Sequence, residues 1–130
     1  GTVLTDQATL SGAANPTGSI TFRLYGPNDA SCTGAPVFTS NAIAVSGNGT
    51  YTSAPGYTAT AVGIYRWIAS YSGDANNAAI PGACNGANES ATITPPTTVQ
   101  QIPTLSQWML IALGLLLASF GLVGVRRRMS

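Results

Sequence analysis

The sequence contains no histidine and no lysine, and charged residues occupy only 7% of its 130 positions, compared with about 25% in an average soluble protein. The lack of histidine excludes an imidazole base, a histidine-ligated metal and a serine–histidine or cysteine–histidine nucleophile pair. Four acidic and five basic residues are too few for a nucleic-acid-binding surface. We therefore expect no enzymatic activity, no cofactor, no metal site and no nucleic-acid partner.

Residues 1–94 have the pattern of a β domain. Apolar and polar residues alternate in segments 20–24 and 65–71, which is the period-2 pattern of half-buried strands. Turns rich in Gly, Asn and Pro separate about seven short strands at spacings of about ten residues, which predicts an antiparallel sandwich. The other candidate strands are residues 3–4, 8–10, 37–39, 43–45, 50–52 and 91–94.

The composition changes after residue 94. Pro95 and Pro96 favour an extended, semi-rigid spacer over residues 95–101. Residues 108–125 then contain no charged side chain, and as a helix they would be about 27 Å long, near the lower limit for spanning a bilayer. The basic cluster that follows predicts that this end stays in the cytoplasm before export, with residues 1–101 outside. That cluster consists of Arg126, Arg127 and Arg128.

The β segments resemble bacterial Ig-like repeat modules. The residues that carry the resemblance are segments 8–12, 15–22, 63–67 and 71–77. The resemblance implies a non-catalytic Ig-like antiparallel sandwich over residues 1–94. The expected fold class is thus an all-β Ig-like sandwich followed by one C-terminal apolar α-helix.

The C-terminal part resembles the IPTL-CTERM sorting signal over residues 102–130. A short motif is followed by the apolar segment and the arginine cluster, in the order typical of that signal; the motif residues are Ile102, Pro103, Thr104, Leu105 and Trp108. The resemblance implies export in a Gram-negative-type envelope, at least transient contact with the inner membrane, and processing by an exosortase-type transpeptidase. Since the chain starts at Gly1 without an apolar leader, we expect either a mature product whose signal peptide has been removed or a fragment.

Cys32 and Cys84 are the only cysteines. An exported chain meets an oxidising compartment, in which two loop cysteines are expected to pair. We therefore predict a Cys32–Cys84 disulfide that joins the loop after the strand around Leu24 to the segment before the last strand.

Tyr65 and Trp67 occupy the start of the longest candidate strand. By comparison with the Ig fold, we predict that Tyr65 forms a tyrosine-corner hydrogen bond and that Trp67 is buried in the core. The alternative is an exposed aromatic platform for a carbohydrate.

Asp74, Asn76 and Asn77 have oxygen-bearing side chains of the kind found in calcium-binding loops. One carboxylate without a downstream bidentate Glu is a poor calcium site, so we favour an ordinary turn. Asp74 and Glu89 could also be considered as a glycosidase pair, although nothing nearby supports acid–base tuning. Two sequons start at Asn48 and Asn88. We interpret the first as the turn of a hairpin between segments 43–45 and 50–52, and the second as a loop.

Gly114, Ala118 and Gly121 fall on one face of the predicted helix, where small residues allow two helices to approach closely. This face favours a non-catalytic structural protein of the bacterial cell surface whose helices pack with copies of themselves as the core of a pilus-like extracellular filament. The alternative is a monomeric, membrane-anchored or exosortase-processed adhesin that binds sugar or protein.

Overall fold

A computed structural model describes residues 1–98 of the chain. Within these residues every regular element is a strand, and no helix has the length and apolar character needed to cross a membrane. The predicted helix, its packing face, the sorting motif and the arginine cluster all lie outside the described residues. The strands are β1 (Val3–Leu4), β2 (Gln7–Leu10), β3 (Ser19–Tyr25), β4 (Phe38–Thr39), β5 (Ile43–Ala44), β6 (Gly49–Thr52), β7 (Tyr57–Thr58), β8 (Gly63–Tyr71) and β9 (Ser90–Ile93).

The larger sheet, which we call the main sheet, is antiparallel and is built on the long pair β3 and β8. Strand β9 pairs with the first half of β8. On the edge of β3 that faces away from β8, strand β5 pairs with the first residues of β3 and strand β4 with the last ones.

The remaining strands form a second antiparallel layer, which we call the ribbon. Strand β1 pairs with β7 and β2 pairs with β6, and the backbone N–H of Ser53 donates to the carbonyl of Asp6 at 2.9 Å between these two pairs. The exposed face of the ribbon is polar, with Gln7 Nε2 3.2 Å from Thr52 Oγ1 and the hydroxyls of Thr9 and Thr50 3.1 Å apart.

The core lies between the ribbon and the main sheet. The alternation predicted from the sequence places Phe22 and Leu24 of β3 at 0% exposure, beside Trp67 of β8 at 2%. The Trp67 ring makes edge contacts with Phe22 and Phe38, with centroids 6.4 and 5.9 Å apart, a favourable geometry for aromatic pairs. The ribbon contributes Leu4, Leu10 and Ala59.

Each predicted strand overlaps an observed one, but the expected count of about seven is too low, since the described residues contain nine strands. The strand that the sequence did not reveal is β7. It has only two residues and follows Pro55 and Gly56, so it is too short to show an alternating pattern.

The predicted hairpin at Asn48 is wrong. Strand β5 pairs with β3 of the main sheet, whereas β6 pairs with β2 of the ribbon, so this turn crosses between layers. The Asn48 side chain fixes this turn to the backbone of Ala13. It accepts a hydrogen bond from the Ala13 N–H at 3.0 Å and donates one to the Ala13 carbonyl at 2.8 Å. A turn motif indicates a change of direction but not which strand is paired next.

After β8 the chain runs back along the edge of that strand through residues 80–89, which we call the strap. At one end Tyr71 and Ile80 form a β-bridge, and at the other the N–H of Trp67 donates to the carbonyl of Glu89 at 2.7 Å. Gly82 has φ of +68°, and a Cβ at this position would collide with the Ala69 carbonyl. Only glycine therefore allows the strap to lie this close to β8.

Candidate functional site

The aromatic pair at the start of β8 has a structural role. The Tyr65 hydroxyl donates to the carbonyl of Ala61 at 3.0 Å and accepts from its N–H at 3.1 Å, which confirms the predicted tyrosine-corner hydrogen bond. Trp67 is buried in the core as predicted, so it cannot serve as an exposed platform for a carbohydrate.

The predicted disulfide is present. Cys32 and Cys84 are bonded, with Cα atoms 5.9 Å apart, and Cys84 lies in the middle of the strap. Asn85 adds a polar connection at the same place, donating to the Ala30 carbonyl at 3.0 Å and accepting from Arg66 Nε at 2.7 Å. The strap is thus tied both to the loop after β3 and to β8.

Asp29 organises the loop that contains Cys32. Its carboxylate accepts from the backbone N–H of Gly34 at 2.8 Å and of Thr33 at 3.1 Å. These hydrogen bonds, that of Gly34 first, hold the pKa of Asp29 below its ordinary value. The carboxylate is therefore used to shape the loop.

Asp74 is the centre of a second turn network. Its carboxylate accepts from the N–H of Thr17 at 2.7 Å, from the Tyr71 hydroxyl at 2.6 Å, and from the N–H groups of Asn76 and Asn77 at 2.8 and 2.9 Å. With both oxygens accepting from protein donors, this loop is built as a turn. In residues 1–98 no group of three or more His, Cys, Asp or Glu side chains is placed to hold a metal ion.

The hydrogen bonds at Asp74 also shift two pKa values. The Thr17 N–H, followed by the Tyr71 hydroxyl, holds the pKa of Asp74 far below its usual range. Burial, followed by the hydrogen bond to Asp74 and its charge, raises the pKa of Tyr71 to about 12. Asp74 is thus ionised and Tyr71 protonated over the whole physiological pH range.

Sequence reasoning missed a pair of carboxyl groups, Asp6 and Glu89. Asp6 belongs to the ribbon, between β1 and β2, and Glu89 ends the strap. Each carboxyl group affects the pKa of the other, so the two side chains are neighbours, and each has one oxygen that is buried without a hydrogen-bond partner, Oδ2 of Asp6 and Oε2 of Glu89. The structure therefore brings Glu89 to Asp6, and not to Asp74 as a glycosidase pair would require.

Both carboxyl groups resist ionisation. Burial is the main cause, and it raises the pKa of Asp6 above its ordinary value. Burial and then the charge of Asp6 raise the pKa of Glu89 to about 7. One feature of the sequence indicates this site. Asp6 is an even number of residues away from Leu4, Ala8 and Leu10, so in an extended strand it lies on the same inward face as these apolar residues.

The comparisons with known proteins bear on the C-terminal segment. A family model for the IPTL-CTERM motif matches residues 100–127. No curated protein and no solved structure matches the chain. The match agrees with the resemblance carried by residues 102–108, and it supports a protein that is exported, sorted to the cell surface and processed by an exosortase-type enzyme.

Proposed function

We propose that this chain is a non-catalytic domain displayed at the bacterial cell surface after cleavage of its C-terminal sorting signal by an exosortase-type transpeptidase. The observation that carries the proposal is the IPTL-CTERM match at residues 100–127, which follows a compact unit of strands, Gly1–Pro95. The Cys32–Cys84 disulfide supports it, because disulfides persist in oxidising compartments outside the cytoplasm.

The use of the acidic side chains supports a non-catalytic role. Asp29 and Asp74 accept hydrogen bonds from their own loops, and the partly buried Asp6 and Glu89 are neighbours. These four are the only acidic residues of the chain. A general acid or base must reach a substrate, whereas each of these carboxyl groups is engaged in holding the fold.

An Ig-like character for the domain is part of the proposal. The tyrosine corner formed by Tyr65 is a feature of Ig sandwiches, in which the tyrosine lies two residues before a core cysteine. Trp67 occupies the corresponding position here and is buried. A domain of this kind presents loops and strand faces for contact with sugar or protein, as expected of an adhesin module.

Filament formation is the competing proposal, and the two differ in the fate of residues 105–130. A filament whose core is made of the apolar segment requires that segment to stay attached. Processing by a transpeptidase separates it from the domain. We favour display, because the IPTL-CTERM match supports processing.

The test is the mass of the chain at the cell surface. In a host that carries an exosortase, we expect surface material to end within or near residues 102–105. Replacing Pro103 and Thr104 together by Ala should leave uncut chain in the membrane, whereas the spacer variant Thr97→Ala should be processed normally. Processing that is equally complete in the motif variant would contradict the role given to these two residues.

Uncut chain recovered at the surface as polymers would instead favour the filament. In that case Gly114→Leu combined with Gly121→Leu should abolish assembly while leaving residues 1–95 folded. A control substitution away from the packing face, Leu116→Ile, should leave assembly intact.

A further inference from the structure

We propose that Asp6 and Glu89 form a proton-sharing latch that fastens the strap to the ribbon and loosens as the pH rises. The inference concerns residues 1–98 alone and does not depend on how the C-terminal segment is processed. It assigns a pH-dependent role to two acidic side chains that the proposed function treats only as part of the fold.

The register of the strands places the two side chains face to face. The pairing of Arg66 with Ser90 continues through the Trp67 N–H to the Glu89 carbonyl, so Glu89 lies opposite Trp67. Residues opposite each other in antiparallel strands point to the same face, and Trp67 points into the core. Glu89 is therefore on the inward face of the main sheet.

Asp6 reaches the same space from the other layer. It lies opposite Ser53, which is 3% exposed, and the two are joined by Ser53 N–H to Asp6 O at 2.9 Å and by Asp6 N–H to Ser53 Oγ at 2.8 Å. The backbone of Asp6 is thus fixed to the ribbon. Its side chain is left to meet Glu89, and this contact joins the strap to the ribbon.

Two ionised carboxylates can only accept hydrogen bonds. In contact they repel each other and leave buried lone pairs without donors, a situation seen at Oδ2 of Asp6 and Oε2 of Glu89. One proton held between them removes both costs, because it neutralises one charge and supplies the missing donor.

Within residues 1–98 no hydrogen bond reaches Oδ2 of Asp6 or Oε2 of Glu89, and the third buried side-chain atom without a partner is the indole Nε1 of Trp67, a donor on the residue opposite Glu89. The hydroxyls of Tyr51 and Tyr65 donate to backbone carbonyls, and that of Tyr71 donates to Thr17 O and Asp74. The Arg66 guanidinium donates to Asn85 and to the carbonyl of Ile64. The titratable or charged side chains on the strands around the pair are Tyr51, Tyr57, Tyr65, Tyr71, Arg66, Arg23 and Tyr25.

The direction of the pH effect follows from the raised pKa values. Glu89 changes from an ordinary pKa of 4.5 to about 7 in the folded chain. A group whose pKa is raised by folding contributes its full stability below the unfolded value and loses it as the pH rises through the folded value. The latch is therefore closed in mildly acidic solution and loosens between about pH 4.5 and 7.

The experiment follows the amide of Trp67, whose N–H donates to the Glu89 carbonyl at the strap's end. Hydrogen exchange is measured on the full chain in a micelle of a detergent without carbonyl groups, from pH 5 to 8, and corrected for the intrinsic rate at each pH. We expect the protection of this amide to fall at least about tenfold over this range, the equivalent of one pKa unit.

Glu89→Gln and Asp6→Asn keep the shape of the pair. Each variant has only one carboxyl group at this place, so no proton is shared between two. Glu89→Gln should remove the dependence of Trp67 protection on pH, and Asp6→Asn should reduce it, because burial still raises the pKa of Glu89 when the charge of Asp6 is absent. Gln7→Glu, which adds a carboxyl group on the exposed face of the same strand, should leave the dependence unchanged.

A second measurement needs no variant. Because the other two acids, Asp29 and Asp74, have lowered pKa values, an infrared carbonyl band of a protonated side-chain carboxyl at pH 6 must come from Asp6 or Glu89. Its presence supports the latch. Absence of this band overturns the proposal, as does flat Trp67 protection in the parent or a pH dependence that survives in both neutral variants.

Discussion

The hydroxyl of Tyr71 lies 2.6 Å from Oδ2 of Asp74 and 2.7 Å from the carbonyl of Thr17, and its proton serves both acceptors. Tyr71 ends β8, whereas Thr17 belongs to the turn that precedes β3. Asn77 continues the connection, accepting from the N–H of Ala14 at 2.9 Å. One carboxylate and its partners thus hold together two turns that are more than fifty residues apart in the chain.

This arrangement predicts that acid weakens the domain through Asp74. Because its pKa is lowered by folding, Asp74 contributes stability above its ordinary pKa of 3.8, and that stability is lost as the pH falls through the folded value. In Asp74→Asn, we expect a lower melting temperature at pH 7 and a smaller further loss below pH 4. Thermal unfolding followed by circular dichroism between pH 2 and 7 measures both, with Asn76→Ala as the control, since its side chain is exposed. An acid transition of equal size in Asp74→Asn would contradict this role.

The tyrosine corner should be worth a measurable part of the stability. Tyr65→Phe removes the hydroxyl that pairs with both backbone groups of Ala61, and leaving such groups unsatisfied costs about 1–3 kcal/mol. The matched control is Tyr25→Phe, because Tyr25 is also a largely buried residue, whereas its hydroxyl makes no hydrogen bond within residues 1–98 and is not among the buried atoms without a partner. Urea unfolding at pH 7 compares the two. Equal losses in both variants would show that the corner hydrogen bonds add nothing specific.

Trp67→Ala is expected to be the most damaging single substitution in the core. It removes a side chain that is 2% exposed, together with its contacts to Phe22 and Phe38, and such truncations cost about 3–5 kcal/mol. Because small domains have total stabilities of about 5–15 kcal/mol, the variant should be largely unfolded or close to it. Val62→Ala, at a side chain that is 53% exposed, is the control. A melting temperature within a few degrees of the parent would place Trp67 outside the stabilising core.

Reduction of the disulfide should destabilise the domain strongly. Cys32 and Cys84 are 52 residues apart, and in the chain-entropy treatment closing such a loop is worth about 4 kcal/mol. Intact-mass analysis should show no alkylation before reduction and two alkylated thiols after it. The double variant with Ser at both positions should unfold at correspondingly lower denaturant concentration. Alkylation of both residues without reductant would disprove the bond in the native protein.

The features predicted correctly from the sequence are those that depend on local pattern or on simple counting. The alternation in β3 and β8 showed which face is buried and hence the place of Trp67. A chain with only two cysteines can form only one intramolecular disulfide, and the export signal indicates an oxidising compartment in which it forms. The tyrosine corner was expected from the resemblance of the segment with Tyr65 and Trp67 to the start of a strand in the Ig fold.

The features that were missed depend on pairings between distant segments. Nothing near Asn48 indicates that the chain leaves the main sheet for the ribbon at this turn, because the partners of β5 and β6 lie elsewhere in the chain. The contact between Asp6 and Glu89 requires two such pairings at once, Asp6 with Ser53 and Trp67 with Glu89. The pair that the sequence analysis considered and disfavoured, Asp74 and Glu89, is not brought together, since Glu89 lies opposite Trp67 and Asp74 belongs to the turn after β8.

The polar face of the ribbon has a consequence for the conditions under which the domain can work. Gln7 and Thr9 face Thr52 and Thr50 through amide and hydroxyl groups that carry no charge. Dissolved ions screen interactions between exposed charges, but they have little to act on at a surface of this kind. Contacts made through this face should keep their strength from fresh water to brine, an advantage for a protein that must function outside the cell in whatever medium surrounds it.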